Sequence, residues 1–439
     1  MALTQQDVLN ALSEIIDPDL QQDIVSLGFV QNIEIGPSSV AFDIELTTPA
    51  CPIKDRFKTD AERLVGALPG VEKVEVRMTS RAPSRATKQE KSGLTRVKAL
   101  IAVASGKGGV GKSTVAASVA LELAERGYKV GLLDADLFGP SVPTLFRLHD
   151  VEVYQDEAGM IIPITVGPLQ VMSFGFLLGD SPAIMRGPMV SGYMQQLLHQ
   201  VAWGDLDYLF LDLPPGTGDI QLTITQAVEL DGALIVTTPQ ALAYPDVGKG
   251  ILMFDRVDVP VLGVIENMAY FDCEDCGSRH EPFGIGGAAR LAERYGVQVL
   301  GELPLAPGRY GGSFENGRQD DDAVREAVDR AMMALGTVKA EGIKKPEISF
   351  NEQQISLSWE NGDSISLDNH TLRSNCQCAS CVDEFSGERK LDPARIRPDI
   401  KADDVATIGN YAIAIEWNDG HSSGFFPYRK IRELAADGT

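Results

Sequence analysis

The chain has 439 residues, 44% of them hydrophobic and 23% charged, with a formal net charge of −23. That length exceeds one compact core and implies two or three domains, while no apolar run approaches the roughly 20 residues of a membrane-spanning helix. The acidic balance argues against a protein that grips nucleic acid through phosphate contacts, so neither a nucleic-acid nor a membrane partner is expected. The opening Met1-Ala2-Leu3-Thr4-Gln5-Gln6-Asp7 carries no basic start, apolar stretch or transit-peptide character, which places the protein in the cytoplasm.

Residues 1–80 read as a small α/β unit. The pattern predicts a helix over Gln5 to Ile16, a strand over Val40 to Leu46, a helix over Asp55 to Leu68 and a strand over Val71 to Met78. Within it stand Asp17-Pro18-Asp19-Leu20, Asp23-Ile24-Val25-Ser26-Leu27-Gly28 and Thr47-Thr48-Pro49-Ala50-Cys51-Pro52. These resemble the small domain of SufT-type and cytosolic iron-sulfur assembly proteins. In that family the cysteine of the T-x-P-x-C-P turn is functional, making Cys51 the candidate for passing or receiving a cluster. Flanking prolines would hold it exposed near a helix start, where a thiolate is stabilised. The alternative is an ordinary buried small hydrophobe.

Residues 81–96 form the linker. Its stretch holds Arg81, Pro83, Ser84, Arg85, Lys88, Lys91 and Arg96 with Lys98 just beyond, and little apolar content. This reads as a solvated tether, with a nucleic-acid patch as the alternative.

From residue 97 to 337, apolar runs alternate with helical segments: Ala99 to Ala104, Val130 to Asp134, Tyr208 to Asp212, Gly232 to Thr237 and Val261 to Glu266. Continuous Val/Ile/Leu runs suit strands buried on both faces of a parallel sheet, so the fold class is α/β. The first run leads into Gly106-Lys107-Gly108-Gly109-Val110-Gly111-Lys112-Ser113-Thr114 and then the helical Val115 to Arg126. Such glycines let successive N–H groups converge on phosphate oxygens at a helix N-terminus. Lys112 reaches the β and γ phosphates, and Ser113 can bind Mg2+. This predicts a P-loop NTPase core that binds ATP.

Carboxylates at strand C-termini face the ligand crevice of such sheets. Asp212 therefore suits magnesium binding through water, Asp136 suits orienting the attacking water, and Asp134 reads as structural. Gly216, in Leu213-Pro214-Pro215-Gly216-Thr217-Gly218-Asp219, can sense the γ-phosphate through its N–H. Lys107 departs from the ordinary loop, and K-G-G-x-G-K-[ST] resembles the deviant Walker A family that includes nitrogenase iron protein and the ParA and MinD ATPases. The resemblance implies a homodimer in which Lys107 contacts the partner's nucleotide; otherwise it is a solvated loop lysine. By the same resemblance Asn267, in Glu266-Asn267-Met268, hydrogen-bonds the adenine, unless it caps a strand end.

Arg186-Gly187-Pro188-Met189, the P-P-G-T-G-D turn, Thr237-Thr238-Pro239-Gln240 and Glu266-Asn267-Met268 resemble the Mrp/ApbC iron-sulfur carriers over about 240 residues. In that family a C-x-x-C from each subunit bridges one [4Fe-4S] cluster, and Cys273-Glu274-Asp275-Cys276 stands at the corresponding place. The residues themselves supply only two of four ligands. A second protomer can complete the shell around a cluster, His280 and another group can complete it around zinc, or the pair can be redox-active.

After a junction near Lys339 to Lys345, residues 346–436 hold short alternating strands over Ile355 to Trp359, Ser364 to Leu367 and Tyr411 to Trp417, a small α+β domain. Cys376, Cys378 and Cys381 with His421 make a closed tetrahedral set typical of structural Zn2+, a second cluster being the alternative. Leu372-Arg373 and Trp417-Asn418-Asp419-Gly420-His421 resemble the N-terminal domain of γ-butyrobetaine hydroxylase, where equivalent residues bind zinc; the oxygenase portion is absent. The domain order resembles that of the plastid high-chlorophyll-fluorescence scaffolds. Cys273 and Cys276 and the missing transit peptide depart from that group and imply a bacterial counterpart.

The expected function is an ATP-hydrolysing iron-sulfur scaffold or carrier of slow turnover. It would receive clusters from upstream assembly proteins and pass them to apo iron-sulfur proteins. The rivals are a ParA/MinD-like positioning ATPase, for which neither a basic surface nor an amphipathic tail is evident, and a zinc-handling P-loop chaperone.

Overall fold

The computed structural model describes residues 3–18, 22–46, 50, 52–80, 93–137, 139–148, 151–178, 187–216, 219–240, 244–273, 275–305, 322–341, 346–359, 362–376, 378, 380–382, 389–408, 412–422 and 424–437. The N-terminal unit runs α1 (Gln5–Leu12), β1 (Val30–Ile35), β2 (Ser39–Leu46), α2 (Lys54–Gly66) and β3 (Lys73–Ser80). Thr4 caps α1 in a reciprocal box with Asp7. Helix α1 stops at Leu12, short of the expected Ile16, and Ile16 instead forms an antiparallel bridge with Asp23. Strand β2 alternates in burial, and Val40, Phe42, Ile44 and Leu46 pack on Val8, Leu12, Phe57, Ala61 and Val65. Strand β1, absent from the expected elements, carries Asn32 at φ 51° and a register shift between Gln31 and Glu34.

The central unit comprises β4 (Leu100–Ala104), α3 (Lys112–Glu125), β5 (Val130–Asp134), α4 (Val142–Leu145), β6 (Ile164–Val166), β7 (Leu169–Ser173), α5 (Phe174–Leu178), α6 (Gly187–His199) and β8 (Tyr208–Asp212). It continues with α7 (Asp219–Ala227), β9 (Gly232–Thr237), α8 (Tyr244–Arg256), β10 (Val261–Asp272), β11 (Arg279–His280), α9 (Gly287–Tyr295), β12 (Val299–Pro304) and α10 (Asp322–Glu341). The strands lie in the order β6-β7-β5-β8-β4-β9-β10-β12, with β11 hairpinned onto the far end of β10. All pairings from β7 to β12 are parallel. Every residue of β4, β5, β8 and β9 is buried. Along β4, Leu100, Ala102 and Ala104 face one helical layer while Ile101 and Val103 face the other, as a doubly covered sheet demands.

The linker reading fails at its C-terminal end. Leu94 and Val97 are buried in the central core, Arg96 pairs with Asp205, and Lys98 meets Asp207 at 2.8 Å. The basic residues that suggested a solvated tether there are the partners of two acidic residues leading into β8. The remainder of that segment, residues 81–92, lies outside the described residues.

The C-terminal unit contains two antiparallel three-stranded meanders: β13 (Glu347–Phe350), β14 (Gln354–Ser358) and β15 (Ser364–Asp368), then β16 (Ala402–Ile408), β17 (Ala412–Trp417) and β18 (Gly424–Pro427), with helices α11 (Asn369–Ser374) and α12 (Tyr428–Asp437). Its core joins Ile355, Leu357, Ile413, Ile415, Trp417 and Phe426 to Cys376, Cys378 and Cys381. Among the described residues no helix is long and apolar enough to cross a membrane.

Candidate functional site

The phosphate loop sits between β4 and α3 at the C-terminal edge of the sheet. Gly109 and Gly111 adopt φ near 80°, a left-handed backbone that L side chains rarely take, so the loop can curl with its N–H groups inward. Lys107, Gly108, Gly109, Gly111, Lys112, Ser113 and Thr114 line a cleft of about 460 Å³. Asp136 and Pro215 close its other side. Gly106 precedes the loop half-buried, and Val110 is buried beneath it.

At the base of the cleft Lys112 Nζ contacts Asp212 Oδ1, and both residues are buried. Among the described residues the second oxygen, Asp212 Oδ2, is buried with no hydrogen-bond partner, and Ser113 Oγ lies 3.5 Å from Lys112 Nζ. An orphaned carboxylate oxygen beside a serine hydroxyl fits a hydrated Mg2+, a hard ion that takes oxygen ligands. Burial pushes the Asp212 carboxyl up, and the Lys112 ammonium pulls it back. Asp134 accepts from Asp136 N, Ser141 N, Val142 N and Ser173 Oγ, which makes it the structural brace at the end of β5. Burial and the nearby Asp212 charge push its carboxyl up to about 7.

Two residues read as nucleotide contacts are engaged elsewhere. The Gly216 N–H donates to Ser105 O at 3.0 Å. Asn267 is fully buried and its amide donates to Val110 O at 2.9 Å, tying β10 to the phosphate loop. Its neighbour Glu266 accepts from Ala288 N at 2.8 Å and so holds the start of α9. Adjacent β10 residues thus grip the loop and a helix, a bracing role that the sequence did not reveal.

Strand β10 continues past the sheet edge to Asp272 and turns back as β11, with Phe271 opposite His280. Cys273 O accepts from Gly277 N, and Cys273 N donates to Ser278 O, closing a tight knuckle. Sulfur and ring-nitrogen atoms of Cys273, Cys276 and His280 lie within 4.8 Å of one another, Cys273 half-buried and the other two exposed. The His280 ring beside Cys276, helped by Ser278, lowers that thiol to about 6. Cys51 and Arg186 lie outside the described residues; Ala50, next to Cys51, is buried against the central core and donates its N–H to Tyr208 Oη at 2.7 Å.

In the C-terminal unit His421 Nε2 lies 3.2, 3.3 and 3.8 Å from the sulfurs of Cys376, Cys378 and Cys381. All four ligand atoms fall within 4.8 Å of one another, the three cysteines buried. Around one tetrahedral ion with bonds of about 2.0 to 2.3 Å, ligand atoms stand roughly 3.3 to 3.8 Å apart. The set therefore fits a single Zn2+, whereas cluster thiolates each bind a different iron and spread wider. Burial holds the Cys381 thiol up, and hydrogen bonding to Cys378 together with burial does the same for Cys376. Arg373, also buried, donates to Cys381 Sγ at 3.4 Å and to Asp419 Oδ2 at 2.9 Å, while Asp419 Oδ1 accepts from His421 N. Arg373 and Asp419 thus position the histidine, a function their place in the sequence pattern did not disclose.

Residues 96–335 match the family model of the NUBPL iron-transfer P-loop NTPase, residues 5–77 that of iron-sulfur cluster assembly proteins, and residues 347–432 that of γ-butyrobetaine hydroxylase-like N-terminal domains. The chain is 42% identical over 446 residues to the chloroplastic Fe-S cluster assembly factor HCF101 of Arabidopsis thaliana, covering 98% of this chain and 83% of that one. It is 45% identical over 316 residues to the iron-sulfur cluster carrier protein of Synechocystis sp., covering 71% and 90%. Among solved structures it is similar to a nucleotide-binding protein of Archaeoglobus fulgidus in complex with ADP, at 40% identity and a TM-score of 0.45, covering 58% and 93%.

Proposed function

Since the chain belongs to the NUBPL iron-transfer P-loop NTPase family, we propose that it is an ATP-hydrolysing scaffold and carrier that holds an iron-sulfur cluster and hands it to apoproteins. The observation that carries this reading is the path of β10: Asn267 grips the phosphate loop through Val110 O, and the same strand ends in the Cys273–Cys276 knuckle. Occupancy of the loop and presentation of the sulfurs are thereby linked through one stretch of backbone.

In the cleft, the Gly108–Gly111 N–H groups and the N-terminus of α3 bind the phosphates. Lys112 leaves Asp212 for the β and γ phosphates, freeing the carboxylate. Ser113 and Asp212 would hold Mg2+, which neutralises phosphate charge when bound. Asp136, on the opposite wall, orients the attacking water. Gly216 N–H trades Ser105 O for the γ-phosphate, so the turn after β8 registers its presence. Lys107, half-buried at the cleft rim, serves the nucleotide of a second copy in a homodimer, which also brings a second Cys273–Cys276 pair to complete four thiolates around a [4Fe-4S] cluster.

Cys376, Cys378, Cys381 and His421 hold Zn2+ as a structural ion, and Cys51 of the assembly unit passes clusters to or from the knuckle. The test is anaerobic reconstitution of the full chain with iron and sulfide, with and without ATP. Cluster should form at one per two chains and vanish in Cys273→Ser and Cys276→Ser. Iron and sulfide retention unaffected by both substitutions sinks the assignment.

A further inference from the structure

The Cys273–Cys276 knuckle is built differently from the four-ligand site of the C-terminal unit. That site has a full set of four protein ligands, three buried sulfurs and a half-buried imidazole. The knuckle offers three ligand atoms of equally compact spacing, two of them on exposed residues, and leaves a fourth direction toward solvent. Closed shells are structural, whereas three protein ligands with an open position mark sites that exchange a ligand.

Hairpin geometry brings the third ligand in. Pairing of Phe271 with His280 puts the imidazole on the same hairpin end as the cysteines. The ring stacks on Phe271 at 5.0 Å between centroids and 19° between planes, which fixes its orientation. Arg279, beside it, is held by Asp272 at 3.4 Å and lies over the Tyr270 ring. His280 Nε2 then stands 3.9 Å from Cys276 Sγ, near the edge length of a tetrahedron around one ion.

We propose that Cys273, Cys276 and His280 of a single protomer form a mononuclear site for one borderline-soft divalent ion, taken up as ferrous iron before a cluster is assembled. Two thiolates and a neutral imidazole suit such first-row ions, and the spacing suits one ion and not the wider spread of a cluster. The ion enters as Fe2+, any proton still on the two cysteine sulfurs passing to solvent, and no electron is transferred in this step. Forming the four-thiolate cluster later requires His280 to let go. This inference rests on the carrier reading above, which concerns the same cysteines.

The test uses the full chain with zinc filling the C-terminal site, titrated anaerobically with Co2+ alone while absorption and sedimentation are followed. One cobalt per chain should bind to the monomer, with thiolate-to-cobalt charge-transfer and tetrahedral d–d bands. His280→Ala should weaken binding at least 10- to 100-fold, and His280→Cys should restore it with stronger charge transfer. Binding at one cobalt per two chains, or His280→Ala binding like the parent, overturns the proposal. Iron-sulfide reconstitution of His280→Ala separates the two readings. Undiminished cluster with undiminished cobalt affinity removes only the mononuclear site, whereas failure of the parent chain to hold any cluster removes the carrier reading and leaves the cobalt result standing.

Discussion

The Lys112 ammonium rests on the Asp212 carboxylate, two buried charges at the base of the phosphate cleft that neutralise each other. Asp212→Asn strips Lys112 of its counter-charge and removes an oxygen from the proposed magnesium site. Breaking a buried pair costs about 3 kcal/mol or more, offset in part here because the repulsion between Asp212 and Asp134 also disappears. The variant should lose about 1 to 3 kcal/mol in urea unfolding and on the order of 100-fold in ATP hydrolysis. Hydrolysis at the parental rate would remove Asp212 from the machinery.

Lys107→Ala should leave ATP binding nearly intact, because the loop backbone and Lys112 remain. It should cut hydrolysis on the order of 10-fold or more, through loss of charge stabilisation in the transition state. A normal hydrolysis rate in a steady-state assay would leave Lys107 as a solvated loop residue and take away the lysine's support for a dimer.

Cys276 should react as a thiolate well below the ordinary thiol range. The His280 ring and Ser278 pull its pKa down to about 6, so the charged form dominates at pH 7 and is lost only as pH falls through 6. Alkylation by iodoacetamide, resolved by mass spectrometry on the metal-free chain, should show a midpoint near 6. A midpoint near 9 would mean that His280 and Ser278 do not stabilise the thiolate in solution.

Tyr208→Phe deletes the hydroxyl that accepts from the Ala50 N–H. A buried donor left without its partner costs about 1 to 3 kcal/mol. Hydrogen exchange at residues 50–54 should accelerate while β4 and β5 stay protected. Unchanged exchange there would show that this contact does not dock the N-terminal unit.

Stripping the proposed zinc with a strong chelator should unfold the C-terminal unit alone, since Cys376, Cys378 and Cys381 are part of its core. The near-UV circular dichroism from Trp359 and Trp417 should collapse while nucleotide affinity persists. Retained Trp signals after one zinc per chain is removed would refute a structural role.

The sequence disclosed the parallel sheet because β4, β5, β8 and β9 are uninterrupted apolar runs, and disclosed the phosphate loop because strand, glycines, Lys112 and helix occur in order. What it hid depends on contacts between distant segments. Arg96 and Lys98 read as charges of a solvated tether, yet their partners Asp205 and Asp207 lie over 100 residues away. Asn267 matched a motif position, yet its amide goes to Val110 O, a pairing 157 residues apart that no local pattern encodes. Arg373 and Asp419 likewise meet only because α11 and the turn after β17 converge on the same sulfur and histidine.

Strand β10 is irregular between the residue that grips the phosphate loop and the tip that bears the sulfurs. Met268 takes φ 57°, and pairing with β12 slips between Glu266 and Tyr270. A non-glycine residue held there stores on the order of 1 to 3 kcal/mol, tension that neighbouring packing must restrain. Met268 stands between Asn267, which grips the phosphate loop, and the tip that bears the sulfurs, so the strain lies on the backbone joining them. Small shifts at the loop would be carried to the tip, and relaxing that strain with Met268→Gly should slacken the transmission.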